Sequence, residues 1–137
     1  MARIRQAAGD HQETLFFPGT VGLTIYRTID YRCARLVLEG AVDGRTSPWL
    51  AEHLAVACLE PEVDAVAVDV RLVTFLGAAG LHCLDAIARL GLRHDKRLSV
   101  WGARPFHRRV LEGGNLHPSI LLEPPGPAET NRPSAGG

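Results

Sequence analysis

Long apolar runs are missing from this chain: none approaches the ~20 residues that a membrane-spanning helix needs. The opening MARIRQAAGDHQETLFFPGT also lacks a continuous apolar segment of the secretory kind, so no membrane association is expected. Cysteine is scarce. Cys33, Cys58 and Cys83 are an odd number without Cys-x-x-Cys spacing, each in an apolar run, which predicts buried, reduced thiols and a cytoplasmic setting. Neither sign of charge is in excess, with 15 Lys and Arg against 15 Asp and Glu, and this removes a global pull toward nucleic acid or an anionic surface. Aromatic residues are 6% of the chain and do not interleave with the bases, a second mark against nucleic-acid recognition. What is present, 46% hydrophobic residues over 137 positions, suits one globular domain with a single core.

Residues 1–20 show no clear period and are expected to form a loosely held extension, with Leu15-Phe16-Phe17 as a docking point. LTIYRTID alternates Leu23, Ile25, Arg27 and Ile29 with Thr24, Tyr26, Thr28 and Asp30, the period of a half-buried strand. CARLVLEG follows so closely that Asp30-Tyr31-Arg32 predicts a hairpin. DGRTSPWLAEHLAVACLE reads as a helix, with Thr46 or Ser47 at the N-cap and Pro48 at the first helical position. Leu50, Leu54, Ala57 and Cys58 share its apolar face. DAVAVDVR is apolar at nearly every position, which predicts a strand covered on both faces. The next helix buries Leu81, Leu84, Ile87 and Ala88. RLSVWGA reads as a strand, PFHRRVLEGG as a short helix and SILL as a last strand. Residues 124–137, with four Pro and three Gly, have little to bury and predict a disordered tail. Over residues 21–123 the order ββαβαβαβ calls for an α/β fold, a mixed sheet with crossover helices packed on it.

Little in the chain carries catalytic chemistry. The six histidines are scattered without zinc-site spacing. Ser47, Ser99 and Ser119 lie outside any Gly-x-Ser-x-Gly elbow. Asp43 and Asp69 are a candidate carboxylate pair, but Asp69 within VAVDV equally suits a residue that bonds backbone amides at a strand end. Gly77-Ala78-Ala79-Gly80 is too short for a phosphate loop and lacks its lysine. No metal, cofactor or enzymatic activity is expected. Charge is uneven along the chain. From Glu39 to Asp69 there are seven acids and one base, and from Arg89 to Arg109 seven bases and one acid. Two solvated faces account for this, and so does a patterned surface for docking a protein.

LEGAVDGRTSPWL, AVAVDVRLVTFLGAAGL, KRLSVWGARPFHRRVLEGGNL and SILL together resemble the STAS domain of bacterial anti-sigma factor antagonists, from about Leu23 to Leu122. The landmarks are the Gly-x-Val-Asp turn at Gly40 to Asp43, the strand with Asp69, and Thr74-Phe75-Leu76 leading through small residues into a helix. The resemblance implies a STAS-like sheet and a regulator of transcription and signalling that acts by binding protein. Such domains sequester an anti-sigma factor that is also an ATP-dependent serine kinase. The kinase switches its antagonist off by phosphorylating a serine in an Asp-Ser-Ser/Thr-Gly turn. Carried over position by position, the Asp falls on Gly77, the phosphorylated Ser on Ala78, the next hydroxyl on Ala79 and the Gly on Gly80. Asp43 and Asp69 are retained. Asn115-Leu116 replaces a frequent Gly-Leu, and Asn tolerates the left-handed conformation of a helix stop.

The partner-binding surface implied is therefore Asp43, Thr74, Phe75, Leu76, Gly77, Ala78, Ala79 and Gly80, with Ala78 at a phosphosite that has lost its oxygen. Two readings follow: a kinase-type anti-sigma factor held without a phosphorylation switch, or a scaffold or sensing module that pairs with other STAS or signalling proteins outside sigma-factor control. Self-association is also open, because a mixed sheet leaves an edge.

Overall fold

The computed structural model describes residues 2–7, 10–15 and 22–123, with side chains from residue 22 onward. In chain order the elements are β1 (Ala2–Ala7), β2 (Asp10–Leu15), β3 (Leu23–Asp30), β4 (Cys33–Val42), α1 (Ser47–Leu59), β5 (Ala65–Leu76), α2 (Ala78–Arg93), β6 (Arg97–Trp101), α3 (Pro105–Gly113) and β7 (Leu121–Leu122). The seven strands form one sheet in sequence order. Pairing is antiparallel from β1 to β4 and parallel from β4 to β7. From β3 onward this is the expected mixed α/β order. Residues 2–7 and 10–15, within the expected loose extension 1–20, instead add two strands to its edge. Phe16, Phe17 and the tail 124–137 lie outside the described residues.

The β3–β4 hairpin closes as its two-residue spacing requires. Asp30 pairs with Cys33, and Tyr31 and Arg32 take φ of 51° and 64°, the doubly positive signature of the turn that matches strand twist. Farther along β4, Gly40 has φ +121°, and a Cβ there would collide with the Gly22 carbonyl. Only glycine fits on both counts. Asn115 does adopt the left-handed conformation, φ 60°, just beyond α3.

Each parallel crossover advances one strand in the same direction, so right-handed connections place all three helices on one face. There Leu36, Leu38, Val66, Val68, Val70, Leu98 and Val100 meet Leu50, Leu54, Ala57 and Cys58 of α1 and Leu84, Ile87 and Ala88 of α2 in one core. Leu54 is fully buried, and truncating such a residue to Ala costs about 2–5 kcal/mol. Leu81, expected in the core, packs at its margin. β5 is buried on both faces from Val66 to Val70, as its pattern predicts, although among the described residues helices cover only one of them. On the other, Ala67 and Asp69 are shielded at the level of the sheet, Asp69 beneath Arg35 and Arg71. Cys33, on the same face, is half-buried, unlike Cys58 and Cys83.

Candidate functional site

The end of β5 turns into α2 without an intervening loop. Leu76 is buried, and Gly77 is the N-cap in extended conformation (φ −111°, ψ −168°). The Gly77 amide donates to the Val42 carbonyl at 3.3 Å, which binds this turn to the end of β4. Its own carbonyl accepts from the Gly80 and Leu81 amides at 3.0 and 3.2 Å. No side chain caps α2, and its first turn holds no acid. The helix therefore begins with unneutralised amides and the positive end of its dipole.

Small residues are needed here for shape. A Cβ on Gly80 would sit 2.7 Å from Leu76 Cδ1 and 2.9 Å from Val42 Cγ1, and one on Gly77 2.9 Å from the Phe75 ring. Gly80 is buried where α2 approaches β4 and β5, whereas Ala78 faces solvent and Ala79 is half-buried. Ala78 is thus held outward by a junction that tolerates little else. Phe75, 52% exposed, lays its ring against Gly77. Thr74 is exposed as well.

Asp43 anchors the adjoining turn. Its Oδ1 accepts the amides of Arg45 at 2.9 Å and Thr46 at 3.1 Å. Thr46 Oγ1 accepts the Asp43 amide and donates to the Ala41 carbonyl at 2.8 Å. Burial pushes the Asp43 carboxyl up, but the amide bonds from Thr46 and Arg45 outweigh this and hold it below its ordinary value. Thr46 does occupy the N-cap of α1, yet its hydroxyl bonds backward rather than capping, and Pro48 is the second helical residue, not the first.

The structure therefore brings Asp43 and the 74–80 segment to one end of the sheet, joined by the Gly77–Val42 bond. It does not bring Asp43 to Asp69. Asp69 pairs in register with Val37 and lies on the helix-free face, where Oδ1 accepts the Arg71 amide at 3.0 Å and Oδ2 meets Arg71 Nη2 at 2.9 Å. Two features escape the sequence. Arg104 donates to the Val73 carbonyl at 2.9 Å, fastening the start of α3 to β5. Phe106, 64% exposed on α3, adds apolar surface. A proline-opened helix with an apolar second residue signals neither contact. Among the described residues no three His, Cys, Asp or Glu are placed to share a metal ion, and no helix is long and apolar enough to cross a membrane.

A family model described as Mlab, STAS domain, matches residues 27–123. No curated protein matches. Among solved structures, an anti-sigma factor antagonist from Mycobacterium paratuberculosis shares 23% identity at a TM-score of 0.67, covering 80% of this chain and 91% of its own. The anti-sigma factor antagonist SpoIIAA in its unphosphorylated form shares 13% identity at 0.61, covering 77% and 93%. The Bacillus cell fate determinant SpoIIAA in its phosphorylated form shares 14% at 0.58, covering 77% and 96%. At these identities the likeness is one of fold.

Proposed function

This chain belongs to the STAS-domain family, and from that premise we propose that it is a cytoplasmic, protein-binding regulator of the anti-sigma factor antagonist type, with no enzymatic activity, that serine phosphorylation does not switch off. The observation that carries the proposal is the surface at the start of α2. SpoIIAA, of the same fold, exists in unphosphorylated and phosphorylated forms. Here Ala78 is exposed at an uncapped helix start with no hydroxyl between Gly77 and Gly80. A phosphate brings about −1.5 to −2 charges to a surface, and this turn has no oxygen to receive it. The exposed methyl of Ala78 and the adjoining Phe75 ring suit burial against a partner permanently, in the manner of an unphosphorylated antagonist.

Affinity capture of the tagged protein from its own cells, with ATP present and absent, tests the proposal. Recovery of a serine-kinase anti-sigma factor, equally in both conditions, is expected. A second reading rests on the matching family model, whose description names no anti-sigma factor: the fold serves as a scaffold that pairs with other STAS or signalling proteins. Recovery of those proteins alone selects this second reading and rejects the first.

A further inference from the structure

Among the described residues, one face of the sheet carries no helix. Residues paired in register share a face, so the bare face has a central row Tyr26–Val37–Asp69–Trp101. The row Thr24–Glu39–Leu72 lies on one side of it, and Thr28–Arg35–Ala67–Ser99–Leu121 on the other. Parallel strands are normally packed under helices on both faces, yet among the described residues β4 to β7 have helices on one face only. Tyr26, Leu72 and Leu121 are 37%, 49% and 46% exposed. Tyr, Trp and Arg, which occupy this face together, are the residue types enriched at the centres of protein interfaces.

We propose that this face is the contact between two copies of the chain, packed sheet on sheet about a two-fold axis that runs along the Tyr26–Val37–Asp69–Trp101 row. Arg35 and Glu39 are exposed and stand one inter-row step on either side of Val37 along β4. The axis therefore sets Arg35 of each copy opposite Glu39 of the other. It also sets the projecting Leu72 against the small Ala67 of the second copy, while Val37 and the aromatic side chains meet their own counterparts. Asp69 lies on the axis without two bare carboxylates meeting, because its side chain is only 2% exposed and Arg71 holds it at 2.9 Å. Strands ~4.8 Å apart with ~3.3 Å per residue, from two residues in β7 to twelve in β5, make the sheet face a patch of roughly 700 Å² per copy. The total of about 1,400 Å² lies within the range of stable interfaces. Residues 124–137 do not suit the role of cover, since they contain no Val, Leu, Ile, Met or aromatic residue. Pairing this way leaves α2 and Ala78 free on the opposite side, so a dimer presents two copies of the candidate site.

Sedimentation of the full chain over a wide concentration range tests this. The wild-type chain is expected to dimerise. Arg35→Glu and Glu39→Arg are each expected to weaken dimerisation about tenfold or more through like-charge juxtaposition. An equimolar mixture of the two single variants should associate again, and so should the chain carrying both substitutions. Circular dichroism of each variant establishes that it is folded. A wild-type chain monomeric throughout overturns the proposal. So does a dimer indifferent to both charge reversals, or folded single variants that fail to associate when mixed.

Discussion

Replacing Ala78 with Asp should move stability and binding in opposite directions. Ala78 is the first residue of α2, exposed, behind an N-cap that offers no side-chain hydrogen bond and in a first turn without an acid. A carboxylate there faces free amides and the positive end of the helix, a gain of about 0.5 kcal/mol at an exposed position. That corresponds to a rise in Tm of roughly 1–3 °C for a domain of this size. At an interface the same carboxylate is buried without a partner, at a cost of about 2 kcal/mol or more, which is about thirtyfold in affinity. Thermal melting and calorimetric titration with the anti-sigma partner give the two numbers. A Tm that falls refutes the account of the helix start, and an affinity within twofold of wild type removes Ala78 from the interface.

Gly80→Ala gains about 1 kcal/mol of helix propensity but forces a methyl against Leu76 and Val42, overpacking worth about 1–3 kcal/mol. Urea denaturation should show a net loss of about 1 kcal/mol, and Gly113→Ala, where a Cβ meets nothing within 4 Å, should show none. His107 is buried with Nδ1 unpartnered among the described residues, and burial, then the nearby Arg104 charge, lowers its pKa. A lowered folded value favours the neutral ring, so its contribution is complete above the unfolded pKa of ~6.5 and is lost progressively as pH falls below it toward the folded value. Stability should drop as pH falls below about 6.5, and an equal drop in His107→Gln would assign the effect elsewhere. Burial pushes the Cys83 thiol up to about 12, so a thiol reagent should reach half-buried Cys33 first and Cys83 only on unfolding. Early labelling of Cys83 would contradict the packing of α2.

The alternation of Leu23 to Asp30 and the spacing Leu50, Leu54, Ala57, Cys58 made β3 and α1 legible, because one buried face imposes one period. β1 and β2 were not legible. ARIRQA and DHQETL hold few apolar residues, and their strand state comes from pairing onto β3, a long-range condition that no local pattern records. Apolar residues at both parities of β5 predicted burial on both faces, and Val66 to Val70 are buried. The means on the second face was not legible: a small Ala67 and a carboxylate clasped by Arg71 and Arg35. The candidate turn was legible from Gly77 and Gly80, where an added Cβ would meet Phe75, Leu76 and Val42. Its tie to Asp43 is a backbone bond from Gly77 to Val42, which leaves no mark on side-chain pattern.

The central claim is tested most directly by incubating the purified chain with the captured anti-sigma kinase and ATP, then measuring intact mass and complex stability on the same sample. The account predicts an unchanged mass and an undiminished complex. A phosphate mapped to residues 74–81, or dissociation that requires ATP hydrolysis, would contradict it.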